Sequence, residues 1–201
     1  MTIAEECLFT PFPKIGRLEK NMVVTEKIDG TNAAVVVTEE GEVRAQSRTR
    51  VITPQDDNYG FAAWVADNQF ALEELGEGVH FGEWWGNGIQ RGYGLPKGEK
   101  RFSLFNTGRW TSDFNDPTMF LQGGERSTVC REVPVCHVVP VIATRTFSTT
   151  LTRAFYENLK RNGSLAAPGF MNPEGIVVFH TANGTLFKLS DAKVPPAEYG
   201  G

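Results

Sequence analysis

Apolar and polar positions partly alternate from Asn21 to Ile28, with β-branched residues among them, which predicts a half-buried strand. Gly30 ends it. The runs Ala33 to Thr38 and Val43 to Ser47, joined by Glu39-Glu40-Gly41-Glu42, predict a hairpin. Phe61, Trp64, Val65, Leu72 and Leu75 then recur at helical spacing, interrupted only at Asn68. This predicts one helix, capped by Asp57 or Asn58 and running to about Leu75. Short strands are predicted around Val79 to Trp85, Phe102 to Asn106 and Val133 to Ile142. A second helix, Thr149 to Lys160, places Leu151, Phe155 and Leu159 on one face and stops near Gly163. Ile176 to His180 and Thr185 to Leu189 flank a turn at Asn183-Gly184, a second hairpin. The predicted class is α+β, mainly antiparallel sheets with flanking helices. No repeat or low-complexity linker interrupts the pattern, so a single domain is expected over residues 1–201.

Composition narrows the function classes. Hydrophobic residues make up 40% and charged residues 22%, as in soluble globular proteins. The longest apolar runs, such as Ala33 to Val37, are too short to cross a membrane, and the first residues carry acids where a signal peptide carries positive charge. Three cysteines cannot all pair within one chain, so a reducing, cytoplasmic setting is expected. Cys130, Cys136 and His137 offer fewer ligands than a structural zinc site needs, and the two cysteines read as buried thiols. The net charge of -4 argues against general coating of nucleic acid. A role on nucleic acid then needs a local patch, for which Arg44, Arg48, Arg50, Arg91, Lys97, Lys100 and Arg101 are the candidates, or a separate nucleic-acid-binding partner or an oligomer.

Five segments carry candidate chemistry. Glu26-Lys27-Ile28-Asp29-Gly30-Thr31-Asn32 places a lysine at a strand end before a glycine turn. A free lysine titrates near about 10.4, so a nucleophilic one must be held near cations or away from water. In Gly82-Glu83-Trp84-Trp85 an acid lies among groups suited to the interior, where a ribose hydroxyl, a cation or a metal would satisfy it. Phe102 and Phe105 sit where aromatics could stack on a base, although strand phenylalanines are commonly core. Glu174 opens an apolar strand, a position suited to magnesium held by one carboxylate and phosphate oxygens. Lys188 lies within Leu186-Phe187-Lys188-Leu189, where a buried lysine would seek an anion such as a triphosphate. Each segment alone also fits an ordinary structural role.

Their order is more specific. The segments EKIDGTN, QSRTR, FGEWWGNGIQRGYG, FSLFN, PEGIVV and LFKLS, spanning Glu26 to Ser190, resemble the motif series of the covalent nucleotidyltransferases. Within that superfamily of DNA ligases, RNA ligases and capping enzymes, the chain most resembles the RNA ligase family, in its nick-sealing branch. The resemblance implies ATP and Mg2+ as cofactors, RNA ends or a nicked duplex as substrate, and a lysyl-AMP intermediate on Lys27. It implies Glu26 near the adenine, Asn32 beside metal-bound water and the strand ends, and Arg48 on the nucleotide phosphate and ribose. It further implies Glu83 on the ribose, Phe105 stacked on adenine, Glu174 on the metal and Lys188 on phosphate. ATP is expected rather than NAD because only 26 residues precede Lys27, too few for a nicotinamide-binding domain. Two departures stand out. Ser190 replaces a second lysine often found in the last motif, with Lys193 as the candidate substitute. About a dozen residues follow Lys188, so the additional domain that ligases usually carry is not expected here, and adenylylation is expected more firmly than full ligation. The alternatives are a small DNA ligase, a capping-type guanylyltransferase, and a non-catalytic domain that binds ATP or RNA ends.

Overall fold

The computed structural model describes residues 11–116 and 126–191. Two sheets carry the fold. The first has the strand order β10-β9-β1-β8, with β1 Asn21–Lys27, β8 Val141–Thr146, β9 Gly175–His180 and β10 Thr185–Ser190. The second has the order β4-β3-β2-β5-β6-β7, with β2 Thr31–Val37, β3 Val43–Ser47, β4 Val51–Ile52, β5 Gly78–Gly86, β6 Lys100–Leu104 and β7 His137–Val138. Every pairing is antiparallel except β6 with β7. The class is therefore α+β, as the sequence pattern predicts. Among the described residues no helix is long and apolar enough to cross a membrane.

Strand alternation assigns the faces. Met22 and Val24 point from β1 to one side and pack with Ile176, Val178 and Leu159 of α3 (Thr149–Asn162). Lys27 lies on the opposite face, in line with Val23 and Thr25. Ser148 caps α3 by accepting from the Leu151 N–H, and Gly163, at φ +86°, ends it. Of the three residues predicted to form its apolar face, Leu159 is buried, Phe155 partly buried and Leu151 exposed.

In the second sheet, Ala33, Val35, Trp84, Phe102 and Leu104 pack against Phe61 and Val65 of α1 (Phe61–Asp67) and Leu72 of α2 (Gln69–Leu72). Asp57 does act near the start of α1: its carboxylate accepts from Ala62 N at 2.8 Å and Ala63 N at 3.1 Å. The single predicted helix is instead α1, α2 and a 3-10 turn at Glu73–Leu75. The break falls at Asn68, whose side-chain amide donates to the Trp64 carbonyl at 2.7 Å and competes with the helical ladder.

The strand predicted over Val133 to Ile142 is also divided. Residues 131–136 form turns, and only β7 and β8 are extended. Between them the chain passes from the second sheet to the first. Val139 donates to Leu104 of β6, while the Pro140 carbonyl accepts from Glu26 of β1. Proline has no N–H to continue a ladder, which suits it to this crossing. Cys130 and Cys136 are both buried and free, and the Cys130 N–H donates to the Cys136 carbonyl at 2.9 Å. Burial pushes the Cys130 thiol up to about 11 and the Cys136 thiol upward as well. His137 contacts Thr128 Oγ1 at 2.8 Å, and burial pushes the imidazole down to about 4.

The sheets meet around Ile28, Trp85, Tyr93, Val139, Ala166 and Ala167. Gly30 passes so close to β5 that a Cβ there would collide with the Trp84 carbonyl oxygen and come within 2.8 Å of Trp85 Cβ. Glu26 fixes the 164–166 segment over this junction. Its carboxylate, 1% exposed, accepts from Ser164 Oγ at 2.6 Å, Leu165 N at 2.7 Å and Ala166 N at 3.0 Å. A glutamine there would turn an NH2 group toward one of these donors. We expect Glu26→Gln to lower folding stability by about 1–3 kcal/mol, read by urea unfolding. An unchanged midpoint would mean that this buried carboxylate does not anchor the junction.

Candidate active site

The turn Ile28–Gly30 carries the chain out of β1 in one sheet and into β2 in the other. Lys27 is therefore the last residue of β1, and Asn32 is the second of β2. Lys27 pairs in register with Gly175, which brings it to Glu174 immediately before β9. Its ammonium lies 2.5 Å from Glu174 Oε1 and 2.6 Å from Oε2. Both side chains are only partly exposed, 26% and 17%.

Across the turn, Asn32 pairs with Glu83 of β5. The buried Glu83 carboxylate accepts from Gly30 N at 3.0 Å and from Asn32 Nδ2 at 3.3 Å. Burial pushes its carboxyl up to about 7; Lys27 and the Gly30 N–H oppose the rise, while Glu174 and Asp29 add to it. The structure thus gathers Lys27, Glu174, Glu83 and Asn32 around one strand crossing, with Asp29 close by. Those groups supply one amine and several hard oxygen donors. That set fits a magnesium-type ion held through one or two carboxylates, with substrate phosphates completing the shell. No cluster of three or more metal-binding side chains occurs among the described residues.

The remaining candidates are placed differently. Lys188 pairs with Val177, and Val177 with Thr25, so Lys188 shares the face of Lys27. It is exposed on that face rather than buried within the strand. An edge strand explains this, because among the described residues only β9 flanks β10. Phe105 lies just past β6, its N–H donating to Phe81, and both rings are substantially exposed. Arg48 is exposed in the turn between β3 and β4. The Glu26 carboxylate projects to the face opposite Lys27 and is occupied by the 164–166 segment, so it is not open to an adenine on the Lys27 face. Lys193 lies outside the described residues.

The basic residues read as a patch are largely committed within the protein. Arg44 pairs with Glu42, Arg50 with Asp56 and Arg101 with Glu99, and Lys100 donates to the Tyr59 carbonyl. Arg91 bonds Asp29 and Asp191. Sequence reading missed this last group as part of the site, along with Tyr93, whose hydroxyl accepts from Asp29 N at 2.9 Å. The available signal was the glycine-rich run Gly86 to Gly94, which allows a loop to fold back on itself. Asp191 also accepts from Lys160 and Tyr156. Although burial acts against it, hydrogen bonds from Lys160, Tyr156 and Arg91 hold the Asp191 carboxyl down to about 2. Two surface hollows, about 450 and 190 Å3, border α3 and include none of the residues gathered around Lys27.

The position of Glu83 predicts a pH effect on stability. A glutamate in an unfolded chain titrates near about 4.3, and Glu83 in the fold near about 7. Its contribution to folding is then present below the unfolded value and lost as pH rises through about 7. We expect the stability of Glu83→Gln relative to the wild type to rise between about pH 4 and pH 8, as read by denaturant unfolding. A pH-independent difference would contradict this assignment.

The fold has solved counterparts. The RNA ligase of Naegleria gruberi, solved as a mutant with AMP and Mn, superposes with a TM-score of 0.54 at 17% identity, covering 86% of this chain and 50% of that one. A second mutant of that enzyme, with ATP and Mn, gives 0.56 at 17% identity, covering 86% and 49%. An archaeal ATP-dependent RNA ligase gives 0.53 at 17% identity, covering 90% and 48%. The chain thus spans about half the length of these relatives. None of the curated proteins matches it in sequence. The family match itself covers residues 20–189, from just before β1 to the penultimate residue of β10, and by that match the chain belongs to the RNA ligase family.

Proposed function

We propose that this chain is the nucleotidyltransferase part of an ATP-dependent RNA ligase, and that Lys27 carries AMP as a covalent intermediate. The observation that carries this reading is the Lys27–Glu174 contact beside the buried Glu83. It places an amine at a strand end on the face shared with Lys188, among carboxylates that can take a metal or ribose hydroxyls.

In the proposed reaction, the neutral Lys27 amine attacks the α-phosphorus of ATP in line, forming an N–P bond as the bond to pyrophosphate breaks. The AMP then passes to the 5′-phosphate of an RNA end. A 3′-hydroxyl finally attacks that activated phosphate and releases AMP as the strand is sealed. In the free protein the Lys27 nitrogen is in direct contact with the Glu174 carboxylate. Attack by the neutral amine requires that this contact open and that the carboxylate take another partner. Magnesium bound through Glu174 would supply positive charge at the phosphates. Glu83, partly protonated near neutral pH, can donate to or accept from ribose hydroxyls. Lys188 and Arg48, exposed and without an ion pair among the described residues, remain available for phosphate. Phe105 and Phe81 offer exposed rings for a base.

Intact mass after mixing with ATP and magnesium tests this reading. The wild type should gain one AMP, and Lys27→Ala none. Glu174→Ala should lose about a hundredfold or more of the rate. A gain with GTP but not ATP would indicate capping-type chemistry. No gain with either nucleotide would leave a non-catalytic nucleotide- or RNA-end-binding domain.

RNA binding generates a second expectation. With Arg44, Arg50, Arg91 and Arg101 paired internally, few cations of the patch read from the sequence remain to neutralise phosphates. A separate nucleic-acid-binding partner or oligomer would supply the rest. Sealing of a supplied 5′-adenylylated strand by this chain alone should exceed ATP-driven sealing, and both should fall steeply as salt rises. Efficient ATP-driven sealing at high salt would contradict this account of its charge.

A further inference from the structure

We propose that Arg91 is a positioning residue that sets the Lys27 turn against the Glu174 loop, rather than a contact for nucleic acid. The proposal rests on the functional reading above for the role of Lys27, but its geometry stands independently. Arg91 lies in the loop after β5, and its guanidinium reaches three other chain segments. Nε donates to Asp29 Oδ2 at 3.0 Å. One terminal nitrogen lies 3.0 Å from the Asn172 carbonyl, 3.1 Å from Asn172 Oδ1, 3.2 Å from Asp191 Oδ2 and 3.4 Å from the Pro173 carbonyl. Asp29 is two residues past the nucleophile, Pro173 directly precedes Glu174, and Asp191 directly follows β10. A single side chain from the loop after β5 thus holds both approaches to the Lys27–Glu174 contact.

The surrounding bonds act in the same direction. Tyr93, two residues on, receives the Asp29 N–H, and the Glu174 backbone amide also bears on its hydroxyl. Lys160 donates to the Pro173 carbonyl at 2.8 Å and to Asp191 at 2.7 Å, while Tyr156 donates to Asp191 at 2.6 Å. Asp191 returns its own N–H to the Glu174 carbonyl at 3.2 Å. The loop reaches this position through left-handed backbone at Gly88, Gln90, Gly92, Tyr93 and Gly94. At Gln90 and Tyr93 that conformation is unfavourable for a side-chain-bearing residue, so the surrounding contacts must hold it. Arginine suits the place because its planar fork presents several donors in fixed directions, whereas lysine presents a single rotating ammonium. With its side chain only 23% exposed and these donors engaged, Arg91 is poorly disposed to meet an RNA phosphate.

The test is single-turnover formation of lysyl-AMP by the full chain without nucleic acid, comparing wild type with Arg91→Lys, Asp29→Asn and the double variant. Positioning predicts that Arg91→Lys lowers the rate at saturating ATP by about tenfold to a hundredfold, with the ATP concentration for half-maximal rate unchanged. The double variant should lose no more than the larger single loss, because the two groups act through one contact. Hydrogen exchange should quicken at the amides of Asp29, Asn172, Glu174 and Gly175, with the β2–β5 ladder unchanged. A wild-type rate without RNA, together with weakened RNA binding, would overturn the proposal and make Arg91 a phosphate contact. A changed ATP requirement at unchanged maximal rate would also overturn it. So would a rate loss accompanied by faster exchange throughout the fold. Should the wild type itself form no lysyl-AMP, the functional reading fails, and the exchange pattern alone decides: faster exchange confined to the amides of Asp29, Asn172, Glu174 and Gly175 supports positioning, and unchanged exchange there refutes it.

Discussion

An ammonium and a carboxylate drawn partly out of water give up hydration, and only close, fixed contact returns it. Lys27 and Glu174 meet this condition at 2.5 Å, at the point where the chain leaves one sheet for the other. Much of the surrounding structure maintains that meeting. The β1–β9 register brings the two residues level. Gly30 lets the chain turn against β5 without steric conflict. Ile28, Trp85, Tyr93 and Val139 seal the junction beneath, and Arg91 with Asp191 holds both flanking segments.

Two buried glutamates show how surroundings divide roles among identical side chains. Glu26 and Glu83 are each pushed up by burial. Three hydrogen bonds from residues 164–166 surround Glu26, which joins chain segments. Glu83 lies on the site side of the second sheet, coupled to Lys27, Glu174 and Asp29. A carboxyl poised near neutrality is unfavourable for folding at high pH, yet it suits a site that must exchange partners during a reaction.

Alternation and turn residues made most strands legible in sequence. Faces were harder to read. The pattern around Lys188 fits a buried or an exposed lysine equally, and the difference lies in β10 being an edge strand. Likewise, Glu26 adjoins the nucleophile in sequence but projects from the other side of the strand. The break at Asn68 depends on a side chain competing for a backbone carbonyl, which periodicity does not record. Arg91 was least legible. Its partners lie 62 to 100 positions away in the chain, so composition counted it as one cation among several while the fold uses it as a clamp.

The account turns on which amine receives the nucleotide. The direct measurement is peptide mapping of the protein after reaction with ATP, with the lability of the adduct followed in mild acid. The account predicts AMP on the peptide containing Lys27, through a phosphoramidate bond that acid cleaves. AMP on Lys188 or another lysine, or an acid-stable adduct, would contradict it.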